Sequence, residues 1–117
     1  MSRRSVRKGK EWERTVARRF REYGIHAERN LSESRTGNAG DLLLPPDIPL
    51  SIQAKVGARP PIYQAVHEAQ EAAAPGEHPV AVIRRNAVGS RRYVDLAVLP
   101  LEDFLELVAQ LRTCGAW

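Results

Sequence analysis

Two short apolar runs, Leu42-Leu43-Leu44 and Leu50-Ser51-Ile52, stand on either side of Pro45-Pro46-Asp47-Ile48-Pro49. No other stretch restricts the fold as much. Prolines so closely spaced lack the N–H groups that a helix interior or a central strand would need, so the chain has to reverse direction between the runs. A hairpin with polar tips is the expected result. Gly40-Asp41 leads into the first run, and Gln53-Ala54-Lys55 closes the second. Because strand side chains alternate between faces, Gln53 and Lys55 point the same way and Ala54 points into the body, with Asp41 across from them on the neighbouring strand. Acid, amide oxygen and ammonium converge. That donor set suits a hard divalent cation such as magnesium, which takes oxygen from one or two side chains and keeps waters and a substrate phosphate. Lys55 is then left to act on the phosphate or on the attacking water.

The flanking sequence supplies helices for such a hairpin to pack against. From Lys8 to Tyr23, Trp12, Val16 and Phe20 recur with Ala17 on one side of a helix, and Gly24 stops it. Residues 1–7 read as a flexible basic arm, Ile25 to Asn30 as a short strand, and Leu31 to Asn38 as a loop. Pro60-Pro61 announces a second helix through Ala65, Val66, Ala69 and Ala72 to the Pro75-Gly76 stop. Pro79 to Ile83 is a strand apolar on both faces, and a Gly89-Ser90 turn leads into a strand over Tyr93 to Leu99. Pro100 opens a last helix whose Leu101, Phe104, Leu105, Val108 and Leu111 form an apolar stripe. The expected order is αβββαββα, an α/β fold with a mixed β-sheet flanked by helices, each helix burying its stripe on the sheet.

Bulk properties narrow the function classes. At 117 residues the chain is expected to be one domain, large enough to bury about two thirds of its unfolded surface. The single cysteine, Cys114, has no partner and fits a reducing compartment. No apolar stretch has the length of a signal peptide or a membrane span, so a cytoplasmic location and no membrane partner are expected. Residues 1 to 30 hold ten Lys or Arg against four acids, leaving eight against ten for the rest of the chain. Lysines and arginines gathered at one end displace counterions from a phosphate backbone, which points to nucleic acid as a partner. His26, His67 and His78 are too scattered for a zinc site, none pairs with Cys114 at ligand spacing, and no Gly-rich phosphate loop follows a strand. Covalent catalysis and nucleotide hydrolysis are therefore not expected.

The acid, the gap and the Gln53-x-Lys55 tip resemble the signature of the PD-(D/E)XK nuclease superfamily, here in a D…QxK form. Lys8-Gly9-Lys10-Glu11-Trp12-Glu13-Arg14 is similar to the opening of archaeal-type Holliday junction resolvases. The order of basic helix, Gly24-Ile25 turn, Arg29, polar loop, Asp41, Gln53-x-Lys55, helix, Pro79-led strand and final hairpin extends the resemblance from about Lys8 to Leu99. What the resemblance implies is a restriction-endonuclease-like fold and a metal-dependent endonuclease that nicks four-way DNA junctions symmetrically. Glu13, Asp41 and Gln53 would hold one or two magnesium ions, with manganese able to substitute, and the Ala54 backbone carbonyl would face the metal. Lys55 would assist the attack. Glu11 also flanks Trp12, but Glu13-Arg14 is the dipeptide that matches.

The resemblance also makes Lys8, Arg14 and Arg29 contacts to the DNA backbone, and Ser34, Arg35 and Thr36 lie in the loop before Asp41 where phosphates could be met. Arg84, Arg85, Arg91 and Arg92 cluster at the ends of the last hairpin, either as a second backbone contact or as the solvated edge of a turn. Two opposed nicks call for two active sites, hence a homodimer with two-fold symmetry. Two alternatives stay open, the second because Gln53 stands where the family carries glutamate. One is another nuclease of the same fold, such as a nickase, flap or restriction-like enzyme. The other is a DNA-binding module that has lost cleavage.

Overall fold

The structure, a computed structural model, describes residues 3–31 and 40–117. It is an α/β protein with helices α1 (Arg3–Glu22), α2 (Ile62–Ala72) and α3 (Leu101–Thr113) and strands β1 (Glu28–Arg29), β2 (Leu42–Leu43), β3 (Leu50–Gly57), β4 (His78–Arg85) and β5 (Leu96–Val98). The strands form a mixed sheet, β3-β4-β5, and a small antiparallel pair, β1-β2.

α1 starts at Arg3, so residues 3–7, expected as a loose arm, belong to the helix. Arginine and lysine are good helix formers, and once Trp12, Val16 and Ala17 are anchored the preceding turns extend at little cost. The helix ends where expected. Gly24 takes φ +80°, and Ile25 N–H turns back to the Phe20 carbonyl at 3.0 Å, a closure that favours a residue without Cβ.

β3 and β4 run parallel in register from Leu50–His78 to Gly57–Arg85, and α2 provides the crossover that parallel neighbours require. β5 adds antiparallel to the other side of β4. Alternation along the strands then sorts two cores. Ile52, Val80, Ala54 and Val82 pack with Trp12, Val16 and Ala17 under α1, while Ala81 and Ile83 pack with Ala65 on the α2 side.

Two expectations are corrected. β2 is not the ladder partner of β3; it pairs with β1, Glu28 opposite Leu43 and Arg29 opposite Leu42, and it meets β3 through Asp41 N–H to the Ile52 carbonyl at 2.7 Å. Pro45, Pro46 and Pro49 remove the donors that would extend a hairpin ladder toward the turn. The stripe of α3 does not bury on the sheet either. Leu101 is 65% exposed and Phe104 and Leu105 are each 49% exposed, and none of the helix's residues is buried. α1 and α2 already cover the two faces of a sheet only three strands wide, so α3 finds no apolar surface left and is instead tied by Asp103 to His78, Oδ1 to Nδ1 at 2.9 Å.

Candidate active site

Gly40 and Asp41 close in on the edge of β3 because nothing larger than hydrogen fits at Gly40. A Cβ there would lie 2.6 Å from the Ile52 carbonyl oxygen and 3.0 Å from its nitrogen. With the backbones this close, the Asp41 carboxylate reaches past the end of the short pairing and accepts the Ala54 N–H through Oδ2 at 2.8 Å. The acid is 4% exposed. Asn30 secures the other side, its backbone N–H donating to the Asp41 carbonyl at 2.9 Å and its side-chain amide to the Gly40 carbonyl at 3.0 Å.

Next to Asn30, Arg29 donates through Nε to Glu13 Oε1 at 3.2 Å, and both side chains are close to nine-tenths buried. A continuous run of contacts thus links Glu13 on α1, Arg29 and Asn30, Asp41, and the Ala54 amide of β3. Glu13 rather than Glu11 is the buried acid of α1; Glu11 lies exposed. Arg29, expected as a DNA contact, has its Nε on Glu13. Lys8 and Arg14 are exposed on α1. Ser34, Arg35 and Thr36 lie outside the described residues.

Gln53 and Lys55 share the face of β3 that looks toward α2 and are half-buried. The Lys55 ammonium is 2.7 Å from Glu68 Oε2 on α2. The Lys55–Glu68 pair was not legible in the sequence, since the pattern of Glu68 on α2 is that of any helix acid and only the packing of α2 over β3 brings it to Lys55.

The arginines of the final hairpin divide in two. Arg84 makes two hydrogen bonds to Asp95, at 2.9 and 2.8 Å, and its guanidinium stacks 4.2 Å from the Trp12 ring. That pairing holds the Asp95 carboxyl below its ordinary pKa and raises Arg84 further, so Arg84 serves the fold. Arg85 and Arg91 stand over the Tyr93 ring at 4.3 and 5.0 Å. Arg85 and Tyr93 line a cavity of about 500 Å³ with Arg59 and Leu96. The cation and aromatic surface there can take a phosphate and a base face, a pairing the spacing of Arg59 and Tyr93 in the sequence did not reveal.

One further group lies apart from Asp41. His78, Asp103 and Glu106 hold their ligand-type atoms within 4.8 Å of one another. Asp103 and Glu106 are one turn apart on α3, but nothing in the sequence brings His78 to them. The histidine is satisfied by Asp103 and fixes α3 in place.

Comparisons with family models, with curated proteins and with solved structures find no match to the chain. Chemistry therefore has to carry the reading. The carboxylate oxygens of Glu13 and Asp41 and the amide oxygen of Gln53 are hard donors, of the kind that magnesium or manganese takes and a thiophilic metal does not.

The approach at Gly40 yields a test of its own. Gly40→Ala forces the backbone at Ile52 to move and is expected to cost about 1–3 kcal/mol in urea unfolding. Gly57→Ala, where a Cβ meets nothing within 4 Å, serves as its partner measurement. Equal losses for the two variants would mean that Gly40 does not set the seat of Asp41.

Proposed function

We propose that this protein is a metal-dependent, structure-selective DNA endonuclease that resolves four-way junctions by paired nicks. The observation that carries the reading is the buried Asp41 carboxylate, pinned to the Ala54 amide on the strand that presents Gln53 and Lys55. A carboxylate costs free energy in such a place unless donors or a cation meet it, and a cation would also give the oxygen of Gln53, on the same strand, a use.

Glu13, Asp41, Gln53 and the Ala54 carbonyl would hold magnesium or manganese, which would activate a water for attack and supply charge to polarise the scissile phosphate. Asp41 fixes the donor geometry because its second contact is the β3 backbone itself. Lys55 holds the attacked phosphate and offsets the charge that develops on it. Arg29 keeps the Glu13 carboxylate oriented. The exposed bases of α1, Lys8 and Arg14 among them, and the Arg85–Tyr93 cavity give the DNA backbone two places to rest, and neither is an element suited to reading base edges.

A junction has to be cut on two strands, so the reading calls for two copies. The bare stripe of α3 supports a homodimer on that face. Laid antiparallel across a two-fold axis near Leu107, two copies of α3 bring Phe104 against the other copy's Val108 and Leu111 and set the acidic first turn, Glu102, beside the other copy's basic last turn, Arg112. Leu105→Glu is expected to shift the sedimenting species from dimer to monomer and to convert paired nicks into single ones. A native protein that sediments as a monomer would remove the basis for paired cutting.

The test of activity is a labelled four-way junction with magnesium, run beside a flap and a linear duplex. Paired, symmetrical nicks in the junction alone are the expected result. Gln53 favours one competing reading, a DNA-binding module without cleavage, because an amide contributes no charge to the cation site. If the native protein is inert and Gln53→Glu cuts, that reading prevails.

A further inference from the structure

With glutamine at position 53, the site is short of negative charge. Glu13 is already paired with Arg29 and Gln53 is neutral, so the ligands of the nuclease reading carry little net negative charge. A magnesium ion held by protein carboxylates and substrate phosphates needs more than that to draw it in. α2 carries the missing charge to the right strand. Glu68 follows Ala65 by one turn and adjoins Ala69, both of them fully buried, so its stem leaves the helix at the seam with β3. Its carboxylate lies on the face that Gln53 and Lys55 share, with Oε2 at 2.7 Å from the Lys55 ammonium and Oε1 accepting from Gln64 Nε2 at 3.3 Å. About one third of each partner in the Lys55–Glu68 pair remains exposed, which leaves the carboxylate room to change partners.

We infer that Glu68 supplies from α2 the carboxylate for a divalent cation that β3 lacks at Gln53, and that Lys55 and the cation compete for it. With no cation, Glu68 neutralises Lys55 and holds the ammonium toward α2. When a cation is bound, Glu68 turns to it and Lys55 is released for the DNA phosphate. The inference rests on the nuclease reading for the existence of a cation site and adds a ligand that reading does not contain.

Manganese binding without DNA, followed by the electron paramagnetic resonance signal of the free ion, tests it. All proteins carry Asp103→Asn, which takes the His78 cluster out of the count while leaving His78 an oxygen partner. Glu68→Gln is expected to weaken binding about tenfold or more, and the double change Gln53→Glu with Glu68→Gln to return it to the parent range. Circular dichroism confirms that each variant is folded. If Glu68→Gln binds like its parent while Asp41→Asn does not, or if the double change fails to restore affinity, Glu68 is an ion-pair partner only and the inference falls. If Asp41→Asn also binds like the parent, there is no cation at Asp41, and the nuclease reading falls with it.

Discussion

Asp41→Ala is expected to lower magnesium-dependent nicking of a four-way junction on the order of a thousandfold, the scale seen when one preorganised group that stabilises a transition state is removed. The same change has a structural cost, since the Ala54 N–H loses its acceptor at the edge of β3. An unsatisfied amide is worth about 1–3 kcal/mol, and an unfolded variant would also fail to cut. Asp41→Asn separates the two effects. Its amide oxygen can still accept from Ala54, so the fold persists, but the charge that a cation needs is gone. Loss of nicking in both variants, with the asparagine variant unfolding at the same urea concentration as the native protein, is the expected pattern. Paired nicks that survive in the asparagine variant would show that the buried carboxylate caps a strand and does no chemistry.

The α/β class and the helices were readable because their signals are local: the Trp12–Val16–Phe20 stripe, the Gly24 stop, and prolines at the heads of α2 and α3 need no knowledge of neighbours. What packing decided was not readable. β2 chose β1 over β3 because prolines silence the hairpin arm, a competition between partners rather than a property of either strand. The stripe of α3 has the periodicity of a buried helix, yet two helices had already occupied both faces of a narrow sheet. Periodicity reports that a face is apolar and leaves open what covers it. The site divides in the same way. Asp41, Gln53 and Lys55 could be picked out as candidates from the sequence, whereas the pairing of Arg29 with Glu13 and of Glu68 with Lys55 could not. Contacts between distant segments, α1 with β1 and α2 with β3, determined both of those pairings.

Trp12→Ala is the substitution expected to cost the most stability. Trp12 is 4% exposed at the centre of the cluster that joins α1 to the sheet, its Nε1–H donates to the Val82 carbonyl at 3.1 Å, and its ring supports the Arg84 guanidinium. Emptying such a position costs about 3–5 kcal/mol, a large part of the roughly 5–15 kcal/mol that holds a domain of this kind together. Trp12→Phe keeps most of the volume and gives up the hydrogen bond, so a loss nearer 1 kcal/mol is expected. Urea unfolding followed by circular dichroism measures both. Trp117, 76% exposed, is the only other tryptophan, so in the native protein the change in fluorescence on unfolding belongs to Trp12. The effect reaches the site through the helix, because Glu13 is the next residue and meets Arg29 only while α1 lies flat on β3 and β4. A loss below 1 kcal/mol for Trp12→Ala would mean that α1 is not docked by this ring, and Glu13 would then have no fixed position from which to serve Asp41.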